Sequence, residues 1–149
     1  MNEDIIYSPR MAEPTLQSLL KDSGLAEKAV AIDDSMVRLQ WGSAFVIVGV
    51  SGTAIVAIAP MFKQLPAGRE PAFFQKLLEH NAYMGGMAAF ALQPDGWVVL
   101  HAGRALKGID PHEFAVLVSG VGRFADQFDD QLIAEFFAER TSAPATAEA

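Results

Sequence analysis

The side chains able to do chemistry in this chain are few and scattered. His80, His101 and His112 are the candidates for acid–base work or metal ligation. No two of them stand four residues apart, the spacing that puts two imidazoles on one helical face in an H-E-x-x-H zinc motif. His80 reads as an exposed or helix-end residue, His101 as a strand residue and His112 as a polar residue of a first helical turn. Asp33-Asp34 and Asp129-Asp130 are paired acids, but sequence neighbours on a turn or helix point in different directions, so solvated surface is the better reading than a cation site. The glycine-bearing stretches at 49–52 and 103–108 lack the lysine or the strand-glycine-helix context of a phosphate loop. Ser51 sits in V-S-G-T, which is not the G-x-S-x-G turn that exposes a nucleophile. The chain has no cysteine, which removes thiolate nucleophiles, disulfides and cysteine-ligated clusters together. It fits a reducing compartment, and the cytoplasm is the expected location. These residues predict a protein that is not an enzyme, with no catalytic residues, no cofactor and no metal.

Size and charge narrow the classes further. At 149 residues the chain is long enough for one ordinary core, burying roughly 70% of the surface its unfolded form exposes. Eleven Lys and Arg against 18 Asp and Glu give a net charge of −7. That balance repels phosphate backbones and anionic lipid, so direct nucleic-acid binding is disfavoured and no membrane contact is expected. The first ten residues hold Glu3 and Asp4 and no apolar run, unlike a signal peptide. Residues 42–62 are uncharged and long enough to span a bilayer. Ser51-Gly52 at their midpoint, flanked by Val- and Ile-rich runs, predicts a β-hairpin instead, with Pro60 closing the second run.

The elements that must position any site follow from periodicity. Residues 1–11 read as an arm, 12–138 as a single α+β domain and 139–149 as a frayed tail. A first helix is expected from 12 to 28, with Pro14 in its first turn and Leu16, Leu19, Leu20 and Leu25 as its apolar stripe, interrupted near Ser23-Gly24. A short strand at 29–32 precedes the turn Asp33-Asp34-Ser35. Val37, Leu39 and Trp41 then alternate with Arg38 and Gln40, the pattern of a half-exposed strand. The hairpin of 45–59 follows. Pro71 opens a helix carrying Phe73, Phe74, Leu77 and Leu78 that must stop at Gly85-Gly86, because adjacent glycines penalise the helix and permit positive φ. Strands at 87–92 and 97–102 pair across Pro94-Asp95. With those two residues as the loop, Phe90, Leu92, Trp97 and Val99 share one face, and a bulged turn would redistribute the names while leaving both faces apolar. Asp110, Pro111 and Glu113 make a capping arrangement for the last helix, whose stripe runs from Phe114 to Phe136. Taken to residue 138 that helix is on the order of 40 Å long, and its end is expected to overhang the sheet. Gly120 and Gly122 inside it suggest close packing against another element.

The order of these elements carries a family resemblance. A helix ending in L-L-x-x-N (Leu77, Leu78, Asn81), the pair Gly85-Gly86, a hairpin with Asp95-Gly96, Val98 and Leu100, then Leu106, Ile109, Asp110, Glu113, Phe114 and Phe124 resembles the Tir-chaperone superfamily. Within it the chain is similar to the class I type III secretion chaperones and the YbjN-like proteins, over about half its length by residues and elsewhere by element order. The resemblance implies helices packed on a twisted antiparallel sheet in the order α-β-β-β(-β)-α-β-β-α. It also implies a non-catalytic homodimer that binds an extended segment of a partner protein, through apolar grooves and by extending a sheet edge. The hairpin and helix end hold more apolar surface than one layer covers, which places the expected dimer interface at Met84, Met87, Phe90, Trp97 and Val99. Partner contact is expected at Leu16, Leu19, Leu20, Val37, Leu39 and Trp41, residues that also fit ordinary core. A cytoplasmic regulatory adaptor is the nearby alternative. The more distant one is a small-molecule or enzymatic site in a cleft between Trp41, Trp97 and the helices, gathering His101 and Arg104.

Overall fold

The computed structural model describes residues 13–137; the expected arm at 1–11 and tail at 139–149 lie outside them. Helix α1 (Leu16–Asp22) is shorter than its apolar stripe suggested. Thr15 caps it by accepting from the Ser18 amide at 3.0 Å, while the Ser18 hydroxyl accepts from the Thr15 amide at 3.1 Å, so Pro14 precedes the cap instead of entering the first turn. After the break at Ser23-Gly24, a 3₁₀ turn (Ala26–Lys28) leads into β1 (Ala29–Ala31). Strands β2 (Met36–Trp41), β3 (Ala44–Ser51) and β4 (Ala54–Phe62) follow, then α2 (Glu70–Met84), β5 (Ala89–Leu92), β6 (Val98–Ala105) and α3 (Pro111–Leu132). The strands form one antiparallel sheet of six, in the order β1-β2-β3-β4-β6-β5.

The uncharged run at 42–62 is a hairpin, as expected. Its turn falls on Gly52-Thr53, with Gly52 at φ 60°, and Ser51 pairs with Ala54. Pro60 does not close the second strand, which continues to Phe62. The ladder with β3 has ended at Ile47–Ile58, and the register with β6 slips between Pro60 and Phe62, so proline sits where a missing amide is tolerated.

One face of the sheet carries the core. Val37, Leu39, Val46, Val48, Ile55, Ala57, Leu100 and Val98 are buried there beneath the helices, with α3 lying across β2, β3, β4 and β6, and α2 against β5. The cap predicted for α3 is present: the Glu113 amide donates to Asp110 Oδ1 at 2.7 Å. Its glycines do different things. A Cβ on Gly122 would stand 2.5 Å from the Trp41 ring, whereas one on Gly120 would meet nothing within 4 Å. Up to Phe137, the last described residue, this helical segment does not overhang. After Leu132 a π-helical turn (Ile133–Phe137) seats Phe136 edge-on to Phe73 at 5.1 Å between centroids and stacks Phe137 on Phe62 at 4.9 Å.

The second hairpin adopts the bulged alternative. The Gln93 amide donates to the Trp97 carbonyl at 2.8 Å around Pro94-Asp95-Gly96, with Gly96 at φ 95°. Phe90 and Leu92 therefore pair with Leu100 and Val98 on the helix-covered face, and Trp97 and Val99 fall on the other. The two-residue loop that would have put Phe90, Leu92, Trp97 and Val99 together is not formed. Both faces of this hairpin are nonetheless apolar.

Candidate protein-binding surface

The uncovered side of the sheet is built by the alternate residues of the strands. Met36, Phe45, Ile47, Ile58, Pro60 and Val99 line an open groove of about 400 Å³, closed at the hairpin turn by Trp97 and by the polar Gln93 and Asp95. A second hollow of about 330 Å³ shares Met36, Ile47 and Ile58 and continues past Gly49 and Val56. Every lining residue belongs to a strand or a turn, so no described helix reaches this face. Gly49 matters to its shape: a Cβ there would meet Met36 Cγ at 2.8 Å. Arg38 lies on the same face with its guanidinium 4.0 Å above the Phe45 ring, a cation held against apolar surface.

The two sheet edges differ. On β5, the Asn81 side chain from α2 takes the place of a neighbouring strand: the Phe90 amide donates to Asn81 Oδ1 at 2.7 Å, and Asn81 Nδ2 reaches the Phe90 carbonyl at 3.4 Å. This edge is plugged by a primary amide, the one side chain that copies both groups of a peptide. On β1, Val30 is exposed, as is Ile32 just after it, and no described strand pairs beyond it. That edge is the one open to strand addition.

The chemical candidates stay apart. Among the described residues no group of three His, Asp or Glu side chains could hold a metal. His80, half-buried, stacks on Phe128 at 4.1 Å between ring centroids; burial, then Lys76 nearby, lowers its pKa. His101 points to the uncovered face, whereas Arg104 lies on the helix side with Glu113 Oε1 at 3.5 Å from its Nε. Trp41 packs against Gly122 of α3 and Trp97 lines the outer groove, so the tryptophans lie on opposite faces and the cleft expected between them does not exist. Asp129 is more than solvated surface. The Ser43 hydroxyl stands 2.6 Å from Asp129 Oδ2 and 2.9 Å from Asp126 Oδ1, donating to one at a time, and the Ser43 amide donates to Asp126 at 2.9 Å. These bonds tie the β2–β3 turn to α3, and the Ser43 amide, then its hydroxyl, lowers the Asp126 pKa.

The residues singled out from sequence divide between surface and core. Of the five expected at a dimer interface, Met84 and Phe90 are buried within the subunit, Met87 is exposed between α2 and β5, and Trp97 and the buried Val99 line the outer groove. Of the six expected to meet a partner, Leu16, Leu19, Leu20, Val37 and Leu39 are buried at 7% exposure or less. Trp41 is half-buried between α3 and the Lys28 ammonium, which stands 5.4 Å from its ring. The residues sequence reasoning passed over are Met36, Phe45, Ile47, Ile58 and Pro60. Their signal was present: β3 and β4 have no polar phase, so whichever face they turn from the core is apolar too.

No protein-family model matches the chain, and no curated protein matches it in sequence. Solved structures do. The ExsC–ExsE complex contains a chain 16% identical, with a TM-score of 0.57, covering 80% of this chain and 97% of its own length. The heterodimeric ExoU–SpcU complex from the type III secretion system of Pseudomonas aeruginosa contains another at 16% identity and TM-score 0.59, covering 78% and 96%. The third is YbjN, a putative transcription regulator from E. coli, at 16% identity and TM-score 0.59, covering 81% and 96%. The fold is type III secretion chaperone-like and YbjN-like. At these identities the likeness concerns the backbone, and the α+β element order implied by the L-L-x-x-N, Gly-Gly and Asp-Gly punctuation is the order observed. The plugged edge gives that punctuation a physical role: Asn81 is the residue that closes β5. No helix among the described residues is long and apolar enough to cross a membrane.

Proposed function

We propose that the chain is a non-catalytic, cytoplasmic protein-binding domain that takes an extended apolar segment of a partner protein on the uncovered sheet face, with strand addition at the β1 edge. The observation that carries this reading is the groove from Met36 to Trp97, an apolar surface lined entirely by strands and turns. Its polar lining residues, Gln93 and Asp95, both come from the one hairpin turn, which favours a peptide chain over a small metabolite, whose sites need polar contacts converging from several elements. Two of the similar chains come from complexes with another protein, which supports the same reading. Two copies would join through the flank where α2 meets β5, since Leu78, Tyr83, Met87 and Leu92 are exposed there beside the plugged edge. A regulatory adaptor would use the same surfaces with a different client.

The test is Ile47→Asp, which puts a carboxylate in the groove floor without touching the buried face. Losing an apolar contact of that size costs about 1.5–3 kcal/mol, so affinity for a captured partner should fall at least tenfold while the circular dichroism spectrum is unchanged. Wild-type and variant protein capturing the same partners equally from native lysate would refute the groove. Sedimentation of Leu78→Glu/Leu92→Glu against wild type reads the dimer: a wild-type monomer overturns that part alone.

A further inference from the structure

Met36 stands where the two outer hollows meet. Together with Ile47 and Ile58 it lines both of them, half-buried at the start of β2. Gly49, its partner across the ladder with β3, leaves the space that its side chain uses: a Cβ there would stand 2.8 Å from Met36 Cγ. The thioether arm is thus held against the sheet, on the face that no described helix covers.

That position invites oxidation. The chain has six methionines and no cysteine, so thioethers are the side chains that a peroxide attacks first. The described methionines occupy four different settings. Met84 is 3% exposed, Met61 is half-buried against the core, Met87 is 37% exposed between α2 and β5, and Met36 lines the groove. A peroxide reaches Met36 without any opening of the fold, and a change there leaves the buried face of the sheet untouched. The sulfoxide is polar where the thioether is apolar. Beside it stand Ile47 and Ile58, while the polar lining residues Gln93 and Asp95 lie at the far end, on the hairpin turn.

We propose that Met36 is a modification site: hydrogen peroxide converts its thioether to the sulfoxide, and the modified groove holds an apolar partner segment less tightly. The sulfur donates a lone pair to one peroxide oxygen, the O–O bond breaks, and the other oxygen leaves as water with both hydrogens. Sulfur is oxidised by two electrons and the peroxide is reduced by two. Two thiols reverse the step, removing the oxygen as water and pairing as a disulfide, the reaction that methionine sulfoxide reductases catalyse. The inference rests on the reading of the outer face as a protein-binding surface. A segment covering Met36 must strip water from the sulfoxide oxygen, and the neighbouring Ile47 and Ile58 side chains offer no donor in return. Affinity for such a segment should therefore fall about tenfold.

The test treats the full chain with hydrogen peroxide and follows each methionine by peptide mass spectrometry. Sulfoxide should appear at Met36 at least severalfold faster than at Met61 or Met84, with the circular dichroism spectrum unchanged. The groove is read with the dye 8-anilinonaphthalene-1-sulfonate, which needs no partner. Oxidation should cut dye binding severalfold in wild type, and a sulfoxide reductase with dithiothreitol should restore it. Met36→Leu keeps an apolar side chain of similar size, so its dye binding should be the same before and after peroxide. Oxidation at Met36 no faster than at Met84 overturns the site. No loss of dye in wild type, or an equal loss in Met36→Leu, overturns its hold over the groove. The Ile47→Asp capture assay, run on untreated protein, judges the protein-binding reading separately.

Discussion

Replacing Asn81 with alanine should loosen the β5 edge by a predictable amount. The side chain makes two contacts with one residue, a 2.7 Å bond from the Phe90 amide and a 3.4 Å approach to the Phe90 carbonyl, at a part-buried position. The first is strong and the second weak. A buried amide left without a partner costs about 1–3 kcal/mol, and water reaching the edge reduces that. We expect a loss near ~1.5 kcal/mol, a little over tenfold in the folded-to-unfolded ratio. Urea denaturation reads the global term, and hydrogen exchange at the Phe90 amide reads the local one, where protection should fall by about the same tenfold. Asn81→Asp should land between the two, since it keeps the acceptor for the Phe90 amide and loses the donor to its carbonyl. The newly opened edge should also make the alanine variant self-associate more as concentration rises. Unchanged Phe90 exchange, with stability within ~0.5 kcal/mol of wild type, would refute the role given to Asn81.

The two helix glycines should respond in opposite directions. Gly122→Ala drives a methyl into the Trp41 ring and should cost ~1–3 kcal/mol with an altered Trp41 emission, while Gly120→Ala, with open space, should gain up to ~1 kcal/mol from helix propensity in thermal unfolding. The Ser43–Asp126 tie sets a pH dependence. The folded Asp126 pKa is lowered from 3.8, chiefly by the Ser43 amide, so its contribution is full above the unfolded value and is lost as pH falls through the folded one. Wild type and Asp126→Ala should thus differ in stability at neutral pH and converge in strong acid; a constant gap across that range would remove the bond as its cause.

How much was legible depended on whether a signal was local. The α3 cap, the Gly85-Gly86 stop and the hairpin at 42–62 are written in neighbouring residues, and each formed where the local chemistry put it. Hairpin register was less legible, because Gln-Pro-Asp-Gly-Trp accommodates either a two-residue loop or a three-residue loop with Gly96 at positive φ, and one step exchanges the faces of Trp97 and Val98. The split of the proposed interface residues has the same origin. Apolar periodicity marks Leu39 and Ile47 equally, and only the position of α3 across β2 and β3 buries one and leaves the other in the groove. The Asn81 plug joins residues nine apart on different elements, so no local pattern announced it.

The distribution of charge ties these surfaces to one logic. A chain of net charge −7 that keeps every Asp and Glu off its six strands leaves an apolar outer face with Arg38 and His101 on it and Asp95 at its hairpin rim. Such a face risks indiscriminate pairing, and the two edges limit it differently: Asn81 closes β5 with two hydrogen bonds, while β1 stays open beside the entry to α1. A segment entering from the β1 side can therefore gain main-chain bonds and groove contacts together, whereas one approaching β5 gains only the latter. In the proposed binding mode, selectivity would therefore come from geometry before it comes from side-chain matching.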